Sequence, residues 1–158
     1  MPLPEHVRQI REKIGHAYML MPAVSVLVFN DAGEILLGQR SDNGKWATIG
    51  GIVDPDETPA VTAVREAREE CGIEIELERV SGVYSSPTIT YPNGDVAQYT
   101  TIAFRAVIVR GTPHVADEES LAVQFFPLDR LPADVSENQR VRIEHAQTPG
   151  RHLPAVFE

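Results

Sequence analysis

Three glutamates, Glu66, Glu69 and Glu70, stand at i, i+3 and i+4 within the segment Pro59 to Cys71, a spacing that brings side chains to one face of an α-helix. Arg65, four residues before Glu69, can pair with it and hold its rotamer, but one guanidinium does not neutralise three carboxylates. Glu69 and Glu70 also fall in the C-terminal half of that helix, where the macrodipole disfavours negative charge. Such a face is either a solvated acidic surface, common on helices, or the seat of a divalent cation. Clustered hard oxygens suit Mg2+ or Mn2+, and Mg2+ commonly takes one or two carboxylates, with waters and phosphate oxygens completing its shell. Just upstream, Gly50-Gly51 permits a tight turn whose carbonyls can approach an ion, although an ordinary bulge would use the same pair.

The whole chain frames that choice. Its 158 residues carry 14 Lys plus Arg against 23 Asp plus Glu, a formal charge of −9. That balance argues against binding nucleic acid or an anionic membrane. It also means that a phosphate-bearing substrate would need a cation at the acidic face. A single cysteine, Cys71, excludes an internal disulfide framework or a Cys-rich zinc site and fits a reducing compartment. No run approaches the roughly 18 apolar residues of a membrane span. The N-terminus MPLPEHVRQIREK is charged and lacks a signal-like apolar core, so a cytoplasmic location is expected.

The elements that must position these residues follow from periodicity. Val7, Ile10 and Ile14 predict an amphipathic helix over Glu5 to Ile14, ended by Gly15. Ala23 to Asn30 and Glu34 to Gln39 read as the strands of a hairpin around Asp31-Ala32-Gly33. Trp46 to Val53 is a short strand interrupted by Gly50-Gly51. Thr58 as cap, Pro59 at the first turn and Gly72 beyond the end predict a helix over Pro59 to Cys71. Its expected apolar stripe is Ala60, Val64, Ala67 and Cys71. Ile73 to Val83, Asp95 to Val109 and Val123 to Pro127 read as strands, with Tyr91-Pro92-Asn93-Gly94 a turn. A last helix runs over about Glu137 to Gln147, capped by Ser136. One domain over residues 1–158 is expected, of α/β class, with residues 1–20 a helical extension.

From Gly51 the chain reads five residues, Glu57, seven residues, then Arg65-Glu66-Ala67-Arg68-Glu69-Glu70-Cys71-Gly72-Ile73. This string resembles the Nudix box, G-x5-E-x7-R-E-U-x-E-E-x-G-U with U aliphatic, at every fixed position over 23 residues. Trp46 upstream, and Phe125-Phe126-Pro127-Leu128 with Leu131-Pro132 downstream, extend the likeness to roughly Pro22 to Pro132. The resemblance implies an α/β/α sandwich around a mixed sheet, and a hydrolase of nucleoside diphosphates linked to another moiety. It implies that Glu66, Glu69 and Glu70 ligate Mg2+ or Mn2+, with Glu69 and Glu70 the main pair and the Gly50 carbonyl a backbone ligand. It further implies that Arg65 orients the carboxylates and that Glu57 supports the loop or binds a second metal.

Where the family often has proline before the two glycines, this chain has Ile49, which leaves loop rigidity open. The general base varies in the family. Asp117-Glu118-Glu119 is the acidic cluster between two expected strands, so Glu118 is the candidate, against the reading of a solvated loop. Arg40 is read either as a contact to substrate phosphate or as a surface ion pair. Trp46, Tyr84, Tyr91 and Tyr99 are candidates to stack on a base or, one by one, packing residues; Trp46 and Tyr84 are retained as substrate contacts. A proline some 15–18 residues past the box resembles ADP-ribose hydrolases and a tyrosine dinucleoside polyphosphate hydrolases; Pro87 and Tyr91 both lie near, so this clue does not decide. The expected function is Mg2+-dependent cleavage of a nucleoside diphosphate derivative, of ADP-ribose or nucleotide-sugar type. The alternatives are a nucleoside triphosphate pyrophosphohydrolase and a non-catalytic nucleotide sensor. A homodimer using the N-terminal helix is possible on this reading. An isoprenoid diphosphate isomerase would carry its cysteine upstream of the box, whereas Cys71 lies inside it on the apolar stripe.

Overall fold

A computed structural model describes residues 3–157. Its centre is a mixed sheet in the order β3-β2-β1-β6-β4-β8, with β5 beside β6 and β7 beside β2. The strands are β1 (Met19–Phe29), β2 (Ile35–Arg40), β3 (Trp46–Ala47), β4 (Glu74–Ser85), β5 (Ile89–Thr90), β6 (Val96–Arg110), β7 (Ser120–Phe126) and β8 (Val156–Phe157). Three helices, α1 (Glu5–Ile14), α2 (Pro59–Cys71) and α3 (Glu137–Ala146), pack around it.

β1 is buried on both sides along Ala23–Phe29, as its continuous β-branched run requires of a central strand. Val24, Val26 and Val28 meet α2 through Ala63, Ala67 and Cys71. Leu27 and Phe29 face α3 through Ile143 and Ala146, with Val135 just ahead of the helix in the same cluster. The sandwich is therefore α2, sheet, α3.

The expected hairpin of β1 and β2 survives only at its turn, where Phe29 pairs with Ile35. Beyond it the strands part. β1 runs parallel to β6 over Met19–Phe29, while β2 pairs antiparallel with β7 and β3. The gap beside β1 is filled by the chain at Ile49 and Ile52, which bridge Val26 and Ala23. That splay opens the sheet where the two glycines sit.

In α1, Val7 is 1% exposed, but Ile10 and Ile14 are each 41% exposed, so the expected apolar face docks through one residue. In α2, Ala60 is exposed, and Ala63 fills the expected stripe instead. Ser136 stands at the start of α3 without a side-chain capping bond. β5 and β8, two residues each, carry too little pattern to be read from sequence.

Candidate active site

α2 begins where Thr58 accepts the Val61 N–H at 3.3 Å and ends where Gly72 turns into the left-handed region at φ 65°. Both ends thus have the caps that their residue types favour. With its register fixed, the glutamates are not equivalent. Glu66 and Glu70 are buried, 7% and 9% exposed, because they border the Ala63–Ala67 stripe that meets the sheet. The Glu69 side chain is 54% exposed and lies further round the helix.

The two glycines lie against these carboxylates. The Gly50 N–H donates to Glu70 Oε1 at 3.2 Å. At φ 152°, a Cβ on Gly50 would overlap the Val24 carbonyl, and one on Gly51 would overlap the Glu66 carboxylate. Close approach of backbone to backbone and of carboxylate to backbone is what excludes a side chain here. The Gly51 carbonyl accepts the Val24 N–H at 2.9 Å and the Ile49 carbonyl accepts that of Val26 at 2.8 Å. The Gly50 carbonyl is left without a donor among the described residues. Ile49, where the family often has proline, is fully buried and bridges to Val26 of β1.

Arg65 joins the acids. Its Nε donates to Glu57 Oε1 at 3.0 Å, and its Nη1 donates to Glu66 Oε1 and to Glu69 Oε2, each at 2.9 Å. Glu57 also accepts from the Thr62 hydroxyl at 2.8 Å. The bond from Arg65 holds the Glu57 carboxyl below its ordinary range, and Glu57 in return raises Arg65. Glu70 moves the other way: burial, then the neighbouring Glu66 charge, push it well up. Burial also raises Glu66, against the pull of Arg65.

Two compartments flank these groups. The wider, about 180 Å3, is lined by Pro4, Ile52, Arg65, Glu66, Glu69 and Asp117 among others. The narrower is lined by Arg40, Thr48, Gly50, Glu70 and Ser120. Glu119 lines both, and burial raises its carboxyl.

The expectation for Glu118 is therefore corrected: its side chain is exposed, and the neighbours on either side face the cleft. The Asp117 carboxylate accepts the Glu119 N–H at 2.9 Å, a local turn that carries the intervening side chain outward. Arg40 does reach the narrow compartment, paired with Asp42 through Nε at 2.9 Å and Nη2 at 2.6 Å. Tyr84 is not brought to the cleft. It is 5% exposed and sits on the α3 face with its hydroxyl 2.9 Å from His145 Nδ1, because bulges in β4 turn it to that side. Trp46 packs edge-on to Phe126 at 4.8 Å on the same face. Asp54 lines the wide compartment as well; a single acid in a loop carries no periodicity to single it out from sequence.

The donor set fits a divalent cation. Two buried, mutually repelling carboxylates and an unbonded carbonyl offer hard oxygens with too little positive charge nearby. Among the described residues no three acidic, histidine or cysteine groups form an ion-enclosing cluster; Arg65 bonds Glu66 and Glu69, and the Gly50 N–H bonds Glu70.

The model of the NUDIX domain matches residues 19–146. An ADP-ribose pyrophosphatase of Methanocaldococcus jannaschii is 33% identical over 126 residues, 77% of this chain and 72% of that protein. A Bacillus subtilis protein provisionally named 8-oxo-dGTP diphosphatase is 44% identical over 118 residues, 75% and 74% of the two chains. Among solved structures, an ADP-ribose pyrophosphatase of Streptococcus suis superposes with TM-score 0.66 at 24% identity, covering 87% of this chain and 98% of that one, a likeness of fold.

Proposed function

Because the chain belongs to the Nudix hydrolase family, we propose that it is a Mg2+-dependent pyrophosphohydrolase that cleaves the diphosphate linkage of ADP-ribose or a nucleotide sugar. The observation that carries this reading is the buried Glu66–Glu70 pair beside the unbonded Gly50 carbonyl, in a cleft that Arg65 and Glu119 also line, with Glu57 bonded to Arg65. The likeness to an ADP-ribose pyrophosphatase along 77% of the chain supports the substrate class.

In this reading Glu66, Glu69, Glu70 and the Gly50 carbonyl hold the ion, Mg2+ or Mn2+. When bound, the cation neutralises phosphate oxygens and makes water at the site a stronger acid. Arg65 and Glu57 fix the carboxylate rotamers. Arg40 exchanges Asp42 for a substrate phosphate. The Glu119 carboxylate accepts the proton of the attacking water as oxygen bonds to phosphorus and the bridging P–O bond breaks, leaving two monophosphates. Holding these groups on a capped helix and a buried loop is itself catalytic, since phosphoryl transfer depends mainly on positioning and charge. A single domain acting on a small nucleotide in the cytoplasm completes the proposal.

A second reading, nucleoside triphosphate pyrophosphohydrolysis, is favoured by the 44% identical relative. Incubation with ADP-ribose, nucleotide sugars and nucleoside triphosphates in Mg2+, with products resolved by chromatography, separates the two. The first predicts a nucleoside monophosphate with a sugar phosphate, and the second predicts inorganic pyrophosphate. Glu69→Gln and Glu70→Gln should each lower turnover about 100-fold or more with the fold intact. Near-normal hydrolysis by both variants would overturn the site.

A further inference from the structure

The N-terminal helix α1 meets the acidic cleft rather than standing apart from it. Pro4, just ahead of it, lines the wide compartment together with Asp54, Arg65 and Glu69. Two residues on, His6 Nδ1 stands 3.1 Å from Asp54 Oδ1, and Asp54 Oδ2 stands 3.5 Å from Arg65 Nη2. The same guanidinium holds Glu66 and Glu69 through Nη1. A continuous polar path therefore runs from α1 through Asp54 and Arg65 to two of the box glutamates.

The helix is pinned just beyond this contact. Val7 is 1% exposed, packed with Met21, Ile52 and Ala97. Arg11 donates to the Val96 carbonyl at 2.9 Å. His6 is thus held by a docked backbone, and Asp54 sits in the loop between the glycine turn and α2. Arg65 must satisfy four carboxylates at once, those of Asp54, Glu57, Glu66 and Glu69. Which of them it favours is set by where Asp54 and Glu57 hold its far edge.

We propose that α1 is a working wall of the cleft, and that His6 and Asp54 are positioning residues that fix the Arg65 guanidinium so that Glu66 and Glu69 face the site. This rests on the reading of Arg65 and the glutamates given above. The bland alternative is that the pair only tethers α1, in which case its loss would alter stability and leave the site unchanged.

The test uses the full chain and two readouts. In metal-free protein, the Arg65 Nε–H is followed by 15N NMR; in parallel, Mn2+ alone is titrated by electron paramagnetic resonance. His6→Ala and Asp54→Asn should speed solvent exchange of the Arg65 Nε–H and weaken Mn2+ binding about 3- to 10-fold, below the 10–100-fold typical of direct outer-shell partners. His6→Asn, whose amide nitrogen takes the place of Nδ1, should restore both. In an Arg65→Lys background, Asp54→Asn should add little, as expected for residues acting through one another. Unchanged exchange and Mn2+ affinity within twofold in His6→Ala and Asp54→Asn, beside a wild type that binds Mn2+, overturn the positioning role alone. A wild type that does not bind Mn2+ overturns the reading of the site as well.

Discussion

Glu118 and Glu119 differ by one residue and by everything that matters at a reacting centre. Glu119 borders both compartments beside Glu70 and Glu66, whereas the Glu118 side chain stands in solvent. A general base must lie within reach of the proton that it takes, directly or through one water. Glu119→Gln should therefore lower kcat by about 100-fold or more, while Glu118→Gln should stay within about twofold, as for surface substitutions generally. Steady-state kinetics of the two variants checks this, and the reverse order would return the role to Glu118. Residue type and spacing nominate an acidic loop; only the direction of each side chain chooses within it.

Between β1 and α2, the loop built on Ile49, Gly50 and Gly51 is a structural element of its own. It borrows hydrogen bonds from β1 through Val24 and Val26 and lays its backbone against the Glu66 carboxylate. Gly51→Ala should leave α2 and the sheet formed but displace Glu66. We expect weakened Mn2+ binding together with a stability loss of about 1–3 kcal/mol, the scale of overpacking a filled site. Calorimetric titration with Mn2+ and urea unfolding measure the two effects. An alanine variant with wild-type metal affinity would show that the close approach has no functional use. The splayed hairpin belongs to the same scale: β1 needed a partner on each side, and β6 won one of them because it matches β1 along its full length.

Across the whole molecule, stretches far apart in sequence are fastened by few groups. Asp95, in the turn before β6, accepts from His16 Nδ1 at 2.8 Å and pairs with Arg11 Nε at 3.6 Å, tying the end of α1 to the sheet. The bond to His16, helped by Asn93 and the Arg11 charge, holds its carboxyl below the ordinary value of 3.8. A depressed carboxylate contributes stability that is present above its unfolded pKa, about 4, and lost as pH falls through the folded value. The melting temperature of Asp95→Asn should accordingly fall below wild type at pH 5 to 8, and the gap should close as pH drops below about 4. Thermal melts across that range measure it, and a gap that stays constant would mean that the carboxylate charge is not involved. Elsewhere on α1, Ile10 and Ile14 remain outward. Among the described residues no helix is long and apolar enough to cross a membrane.

α2 is legible end to end in its own residues, because Thr58, Pro59 and Gly72 are local signals that need no partner. Helical spacing, a property of neighbours, put Glu66, Glu69 and Glu70 on one face with Arg65 beside them, whereas Glu57, ahead of the helix, came in only through the resemblance to the Nudix box. The same spacing also determined α1 as a helix, though not which side of it would dock, since one buried contact at Val7 outweighed two apolar residues that found no surface to cover. That Glu66 and Glu70 are buried while Glu69 is not, that Glu119 borders the cleft, and that Tyr84 and Trp46 belong to the α3 face follow from how the folded segments pack. That packing alone brought His6 and Asp54 to Arg65. Each of these depends on where a strand bulges, splays or meets a helix, and such meetings are set by the packing of distant segments, which no local pattern records.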